Sequence, residues 1–144
     1  AVTNLTLDQA AAIIEAAFDK GRGDGLAPLT VAVLDAGGHP VALMRQDASG
    51  ILRAEIATGK AYGALGFGLG SRDLHDKNPK FLAAVAAASG GKMVPVPGGV
   101  LAIDPDTGDI IGAVGISGDR GENDEACAVA GLEAAGLKAE PGVG

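Results

Sequence analysis

The chain is poor in residues on which several kinds of function depend. Aromatic residues make up 3% of its 144 residues and tryptophan is absent, so few side chains are available for stacking nucleic-acid bases. Its single cysteine, Cys127, cannot form a disulfide within the chain. No apolar run approaches the roughly 20 residues that span a bilayer. We therefore expect neither a stacked nucleic-acid complex nor a membrane-spanning segment.

Positive charge is also scarce. The 11 lysines and arginines are outnumbered by 18 aspartates and glutamates, which gives a net charge of -7 at pH 7. A chain of this charge does not hold nucleic acid or an anionic membrane by bulk attraction. Any anionic ligand must be bound by a few local cations. The reduced thiol and the absence of a basic and apolar leader after Ala1 predict a cytoplasmic protein.

Motifs that identify one chemistry are missing as well. The sequence has no Ser-His-Asp order, phosphate loop, dinucleotide fingerprint or pair of catalytic carboxylates with useful specificity. The glycine-rich stretch 66–70 follows a predicted helix, whereas a nucleotide-binding loop follows a strand. The reaction or ligand therefore has to be inferred from single residues and from resemblance.

The clearest structural signal is a predicted hairpin near the C-terminal end. Residues 100–103 and 110–117 are apolar and rich in branched side chains, and the turn residues 106–109 lie between them. Simple alternation places Ile111, Ala113 and Gly115 on one face of the second strand. Neither face is polar, so this strand is predicted to be central, with its glycines admitting a close helix.

Helical periodicity and capping residues predict helices near residues 6–20, 51–66, 78–89 and 123–137, and further strands at 29–34 and 41–46. Thr6 with Gln9 matches a capping box. Residues 92–96 are a candidate edge strand, and the tail after Lys138 is expected to be loose. The order predicts one α+β domain, residues 1–144, in which an antiparallel sheet has helices on both faces.

Several short motifs together resemble the GlcG/HbpS-like family, which includes haem-binding proteins and the C-terminal domain of the PduO cobalamin adenosyltransferases. The resemblance covers nearly the whole chain. It rests on Val33-Leu34-Asp35-Ala36-Gly37-Gly38-His39 with Met44-Arg45-Gln46-Asp47, on residues 57–62 with Lys60, on Val94-Pro95-Val96-Pro97-Gly98-Gly99-Val100, and on Gly112-Ala113-Val114-Gly115-Ile116-Ser117-Gly118 followed by Asp124-Glu125.

The resemblance implies a profilin-like, three-layer α/β/α fold with a five-stranded antiparallel sheet. It also implies a homo-oligomer, often an octamer, associated with haem or with the catabolism of small molecules. The chain differs from commoner members by a distinct loop and helix at residues 71–89 and by showing no export segment. These differences argue against a haem-sensing role.

Two residues are the main candidates for binding. His75 lies in a polar segment, where imidazole can ligate haem iron or move a proton, although a lone histidine in a charged loop is often only exposed. Lys60 has apolar helical neighbours, so its ammonium either pairs with a carboxylate such as Glu55 or Asp47 or binds an anionic ligand. Arg45 and Arg72 are predicted to join Lys60 around a carboxylate or a haem propionate.

Two functions follow from these residues. The preferred hypothesis is an oligomeric protein that binds haem or another small anionic molecule. The alternative is a cofactor-independent enzyme of isomerase, tautomerase or lyase type, in which Lys60 and Arg45 hold an oxo-acid while His75 or Asp47 moves a proton.

Two other residues receive structural interpretations. His39 is predicted to be a solvated turn residue, and Cys127 a small core residue, with a thiolate ligand to haem as its alternative.

Overall fold

The first helix begins at a cap that the sequence itself supplies. In the computed structural model, which describes residues 4–143 except the side chains of His75 and Asp76, α1 spans Leu7–Gly23. Thr6 Oγ1 accepts a hydrogen bond from Gln9 N at 3.1 Å, and Gln9 Oε1 accepts one from Thr6 N at 3.0 Å. These reciprocal bonds satisfy amide groups that have no partner inside the helix, and they confirm the predicted capping box.

The remaining elements follow the predicted order closely. They are β1 (Thr30–Asp35), β2 (Pro40–Arg45), α2 (Arg53–Phe67), a 3₁₀ helix (Ser71–Asp76), α3 (Pro79–Ala88), β3 (Gly99–Ile103), β4 (Ile110–Ser117), α4 (Gly121–Ala134) and β5 (Lys138–Glu140). Asn78 caps α3 by accepting a hydrogen bond from Lys80 N at 2.9 Å, and Pro79 occupies its first position. The predicted start of this helix is therefore confirmed.

The sheet has the strand order β2-β1-β4-β3-β5, and all neighbours are antiparallel. Strand β4 lies at its centre, as predicted. The fifth strand, however, is not residues 92–96, which form no strand. It is β5, in the tail that was expected to be loose, where Ala139 pairs with Ala102 of β3. Residues 92–96 instead lie against α2, with Val94 N donating to Gly59 O at 3.0 Å.

A β-bulge in β4 changes which face one side chain occupies. Ala102 pairs with Gly112 and Ile103 pairs with Ile110, so Ile111 is an extra residue without a partner in β3. Ile111 therefore packs in the same core as Val114 and Ile116, rather than on the face of Ala113. The prediction from simple alternation is wrong here because a bulge shifts the pleat by one residue.

Helices cover both faces of the sheet, which confirms the three-layer α+β fold. Helices α1 and α4 pack on one face around a large core that includes Ile13, Val33 and Leu132. Helix α2 packs on the other face, where Ala61 and Ala64 contact Leu101 and Ala113. The sheet therefore separates two apolar cores, one on each of its faces.

Helix α2 lies so close to the sheet that two positions accept only glycine. A Cβ atom on Gly115 would overlap the backbone carbonyl of Ala57, and a Cβ atom on Gly99 would overlap that of Lys60. In both cases the obstacle is backbone, which cannot swing away as a long side chain can. The glycines of the central strands thus set the distance between helix and sheet.

We predict that Gly115→Ala destabilises the protein by about 3 kcal/mol or more, because the new methyl group displaces α2 from the sheet. Gly66→Ala is the control, since Gly66 lies in α2 and a Cβ atom there would meet nothing within 4 Å. The control should stabilise the protein by up to about 1 kcal/mol. Urea unfolding of both variants checks this, and equal stabilities would disprove the close approach.

Candidate functional site

Lys60 lies beneath the end of β4, and its ammonium is enclosed by protein. Its Nζ donates a hydrogen bond to Ile116 O at 2.7 Å and forms an ion pair with Asp124 Oδ2 at 3.1 Å. Lys60 is 3% exposed and Asp124 is 1% exposed. The partner carboxylate is thus on α4, and neither Glu55 nor Asp47 supplies it. A residue of α2 is thereby tied to the helix on the opposite face of the sheet.

Asp124 has a second partner that links the pair to a loop. Its Oδ1 accepts a hydrogen bond from Asp119 N at 2.9 Å. The Asp119 carboxylate in turn accepts hydrogen bonds from Asn123 Nδ2 at 2.7 Å and from Ala27 N at 2.9 Å. These bonds hold the pKa of Asp119 down at about 2. The connection between β4 and α4 is therefore fixed by a continuous set of carboxylate contacts.

Burial dominates the electrostatics of the Lys60–Asp124 pair. Desolvation lowers the pKa of Lys60, and the nearby charge of Arg53 lowers it further, while Asp124 acts in the opposite direction. Desolvation likewise raises the pKa of Asp124 in spite of its cation. The mutual attraction thus does not fully offset the cost of removing both charges from water. The pair therefore contributes more to the specific packing of the helical layers than to the free energy of unfolding.

A different surface of α2 carries an aromatic cleft. The chain has three phenylalanines and one tyrosine, and three of these four aromatic side chains line this one apolar cleft of about 250 Å³. We define the aromatic cleft by Tyr62, Phe67, Phe81, Val85 and Met93. The rings of Phe67 and Phe81 meet edge to face, with centroids 6.2 Å apart. The aromatic surface of the protein is thus concentrated where α2 meets α3.

Tyr62 also lines a neighbouring, more polar cleft of about 460 Å³. We define the polar cleft by Ala54, Glu55, Thr58, Tyr62 and Lys92. Lys92 Nζ lies 5.9 Å from the centre of the Tyr62 ring, and Lys77 Nζ lies 5.5 Å from the centre of the Phe67 ring. Both distances allow a cation–π contact. Cations therefore flank the aromatic surface on two sides.

Tyr62 and Phe81 were not among the site residues predicted from the sequence. One signal was available in the sequence, because a chain with four aromatic residues places three of them between positions 62 and 81. Their convergence also required α3 to fold back against α2. Spacing alone could not establish that contact.

The predicted cations have separate environments. Arg45 Nη1 donates to Ser49 O at 2.9 Å, and Arg45 and Asp47 border a third cleft. Arg72 Nε pairs with Glu125 Oε1 at 3.1 Å, and its Nη2 donates to Gly142 O at 3.0 Å. Each cation thus has its own protein partners. Their grouping around one anion, together with Lys60, stays a prediction.

The histidines and the cysteine differ in what the structure says of them. The backbone of His75 lies in the 3₁₀ helix, but its side chain lies outside the described residues, so its role as haem ligand stays a prediction. His39 has a 78% exposed side chain near Asp35, in agreement with a solvated turn residue. Cys127 is buried in the core, and burial raises the pKa of its thiol to about 11. The predicted core position of Cys127 is thus confirmed.

The described part of the chain offers no preformed metal cluster and no membrane span. Among these residues, no group of three or more His, Cys, Asp or Glu side chains is arranged to hold a metal ion. No helix in residues 4–143 is both long and apolar enough to cross a bilayer.

The fold and these clefts define a small three-layer α+β protein with an aromatic cleft between α2 and α3. The model of the family described as haem degrading protein HbpS-like matches residues 5–133. The chain belongs to this HbpS-like family. A search of curated proteins finds no significant match.

Solved structures with the same fold agree with this assignment. The PduOC:heme complex is 24% identical, with a TM-score of 0.83 over 93% of this chain and 96% of that chain. The Klebsiella pneumoniae protein ORFY is 23% identical, with a TM-score of 0.86 over 94% of this chain and 93% of that chain. The Streptomyces reticuli HbpS double mutant is 25% identical, with a TM-score of 0.78 over 92% and 88%. At these identities the first two similarities establish the fold alone.

We predict that Lys60→Met and Asp124→Asn each destabilise the protein by about 3 to 5 kcal/mol, because each leaves a buried charge without its partner. The double variant should lose less than the sum of the two. Urea unfolding at pH 7 checks this, with Lys80→Met on an exposed face as the control. Additive losses, or single losses no larger than that of the control, would contradict a coupled pair.

The Lys60→Met variant also tests how stability depends on pH. Without Lys60, the pKa of Asp124 in the folded state rises further above its ordinary value of 3.8, so the folded protein binds a proton that the unfolded chain has released. The stability of Lys60→Met should therefore fall as the pH rises above about 4. The difference in unfolding free energy between wild type and Lys60→Met should therefore be smaller at pH 4 than at pH 7.

Proposed function

We propose that the protein binds a small, flat and partly apolar anion in the two clefts that share Tyr62, and that haem is such a ligand. The observation that carries this proposal is the meeting of three of the four aromatic side chains in one apolar cleft. Flat apolar molecules gain contact area and favourable ring geometry on such a surface. The description of the family as haem degrading supports the choice of haem.

The residues of the clefts suit the parts of haem. Tyr62, Phe67 and Phe81 offer contacts for the apolar macrocycle, and they exclude water from it. Lys92, beside the Tyr62 ring, offers a cation to a carboxylate. When bound, haem supplies redox chemistry at its iron, and the chain supplies binding, orientation and shielding. The aromatic and polar clefts together thus fit an anionic macrocycle.

His75 is the residue that we propose as ligand to the haem iron. It lies two residues before Lys77, whose ammonium contacts the Phe67 ring. Its backbone is therefore close in sequence to a wall of the aromatic cleft. Imidazole is a common axial ligand of haem iron.

The cofactor-independent enzyme has less support. In that alternative Lys60 holds an oxo-acid, but its ammonium already contacts Ile116 O and Asp124 and is almost fully buried. Substrate binding would have to displace these contacts and leave a buried carboxylate unpaired. We therefore favour binding over catalysis. A cytoplasmic location accords with the free thiol of Cys127.

A hemin titration followed by absorbance should show saturable binding to the wild-type protein. Tyr62→Leu and Phe81→Ala should each weaken binding by about tenfold through lost ring contacts. Lys92→Met should weaken it only a few fold, because its cation is partly screened by water. Hemin affinity that is unchanged in all three variants would refute the proposed site.

Controls separate the cleft from general effects. Leu7→Ala removes an exposed apolar side chain of α1, on the opposite side of the sheet, and should leave hemin affinity unchanged. Lys80→Met removes an exposed cation of α3 and should also leave hemin affinity unchanged. His75→Ala should keep the cleft but alter the haem spectrum. Identical spectra and affinities for His75→Ala and wild type would remove His75 as ligand.

We also propose that the chain forms a homo-oligomer, with the octamer as the expected form. Strand β2 is an edge of the sheet, where Leu43 and Met44 are 43% and 55% exposed. Ile51 and Leu52 follow with 88% and 66% exposure. An edge strand with exposed apolar neighbours is a surface that proteins usually cover. A second copy of the chain would bury it.

Sedimentation at micromolar concentration should therefore detect an assembly larger than a dimer. Replacing Ile51 and Leu52 together by aspartate should reduce the mass, because it adds charge to the proposed contact. Leu7→Asp is the matched control and should leave the mass unchanged. A monomeric wild-type protein would refute this proposal.

A further inference from the structure

Two arginines differ from the others in their hydrogen-bond partners. Three of the five arginines in the chain form ion pairs with carboxylates, namely Arg22, Arg72 and Arg120. Arg45 and Arg53 instead donate to neutral oxygens, Ser49 O at 2.9 Å and Ser117 Oγ at 3.0 Å. Among the described residues, neither of these two cations has a carboxylate partner. In a chain with a net charge of -7, such an arrangement leaves room for an external anion.

Both arginines lie at the same end of the sheet, on its α2 side. In the strand register, Thr30 of β1 pairs with Arg45 of β2 and with Ser117 of β4, so these three side chains share one face of the sheet. Arg53 is the first residue of α2, and its bond to Ser117 brings it to the same row. One guanidinium group thus lies at each end of a short row of side chains.

The peptide unit between Ser49 and Gly50 is bordered by both guanidinium groups. Ser49 O accepts the hydrogen bond from Arg45 Nη1, and a Cβ atom on Gly50 would lie 3.9 Å from Arg53 Nε. Below this peptide unit, Ser49 Oγ lies 2.8 Å from Thr30 Oγ1, and both hydroxyl groups are buried. The surface beneath the two arginines is therefore built from neutral hydroxyl groups.

Each of the two guanidinium groups keeps an edge for binding an anion. Each one contacts the protein through Nη1, so its Nε and Nη2 have no acceptor among the described residues. Arg45 is exposed and Arg53 is half-buried, which makes both accessible. The carboxylates nearest in sequence, Asp47 and Glu55, are exposed and bond to neither arginine. Helix α2 also begins here without a side-chain cap, so its positive end adds to the charge of the arginines.

We infer that Arg45 and Arg53 together bind a phosphate group. The two oxygens of a carboxylate are satisfied by a single guanidinium edge, whereas a phosphate offers at least three oxygens and a charge of up to about -2. Two guanidinium edges therefore match a phosphate in both hydrogen bonds and charge. This inference does not depend on haem binding.

The probe for this site is inorganic phosphate, with acetate at the same ionic strength as the comparison. Amide NMR shifts should saturate with phosphate, and the shifted amides should include those of residues 49–54. Acetate should bind about tenfold more weakly, because it uses only one guanidinium edge. Shifts that do not saturate with phosphate, or equal affinities for the two anions, would overturn the inference.

Variants assign the phosphate to the two arginines. Arg45→Met and Arg53→Met should each weaken phosphate binding by about tenfold. Arg45→Lys keeps the charge but loses the planar edge, and it should weaken binding by about threefold. Arg22→Met, at an exposed arginine of α1 on the other face of the sheet, is the matched control and should match wild type. Because Arg45 is exposed, its replacement should leave the fold intact, and an unchanged phosphate affinity in Arg45→Met would overturn the assignment.

Sedimentation distinguishes this site from the proposed contact between copies of the chain. Loss of phosphate binding in Arg45→Met without a change in mass would support the inference. A lower mass in Arg45→Met and Arg53→Met, together with no phosphate binding by the wild-type protein, would overturn it and assign the arginines to the contact. Tyr62→Leu should leave phosphate affinity unchanged, since Tyr62 lines the aromatic and polar clefts.

Discussion

The close packing of α2 against the central strands controls the rest of the structure. Backbone carbonyls of Ala57 and Lys60 occupy the space where Gly115 and Gly99 would otherwise carry a side chain. At this separation the Lys60 side chain extends to the end of β4, where its ammonium donates a hydrogen bond to Ile116 O and pairs with Asp124. The buried ion pair is thus a consequence of the helix position, and it joins both helical layers through the sheet.

The inner face of α2 is therefore structural, and its outer face borders the aromatic and polar clefts. Gly59 and Gly63 on that helix admit Val94 and Met93 at short distance, so that the segment after α3 forms one wall of the clefts. Tyr62 lies between the aromatic and the polar cleft. The HbpS-like family shares this fold, and in this chain three of the four aromatic residues line the aromatic cleft.

Local signals in the sequence predicted local structure well. Thr6 with Gln9, and Asn78 with Pro79, mark helix starts because the capping partners lie within three residues of one another. The central position of β4 also followed from its composition, since a strand that is apolar on both faces must be covered twice. The family resemblance implied the three layers and the five antiparallel strands, and the structure has both.

Features that depend on distant contacts were decided only by the tertiary structure. The tail becomes β5 because β3 offers it an open edge, and Ile111 changes face because it is the extra residue of the β-bulge in β4. Asp124 becomes the partner of Lys60 although 64 residues separate them. Sequence patterns reflect interactions between residues that are close along the chain. The residues that meet at the end of β4 and beside Tyr62 become neighbours only when the helices pack on the sheet.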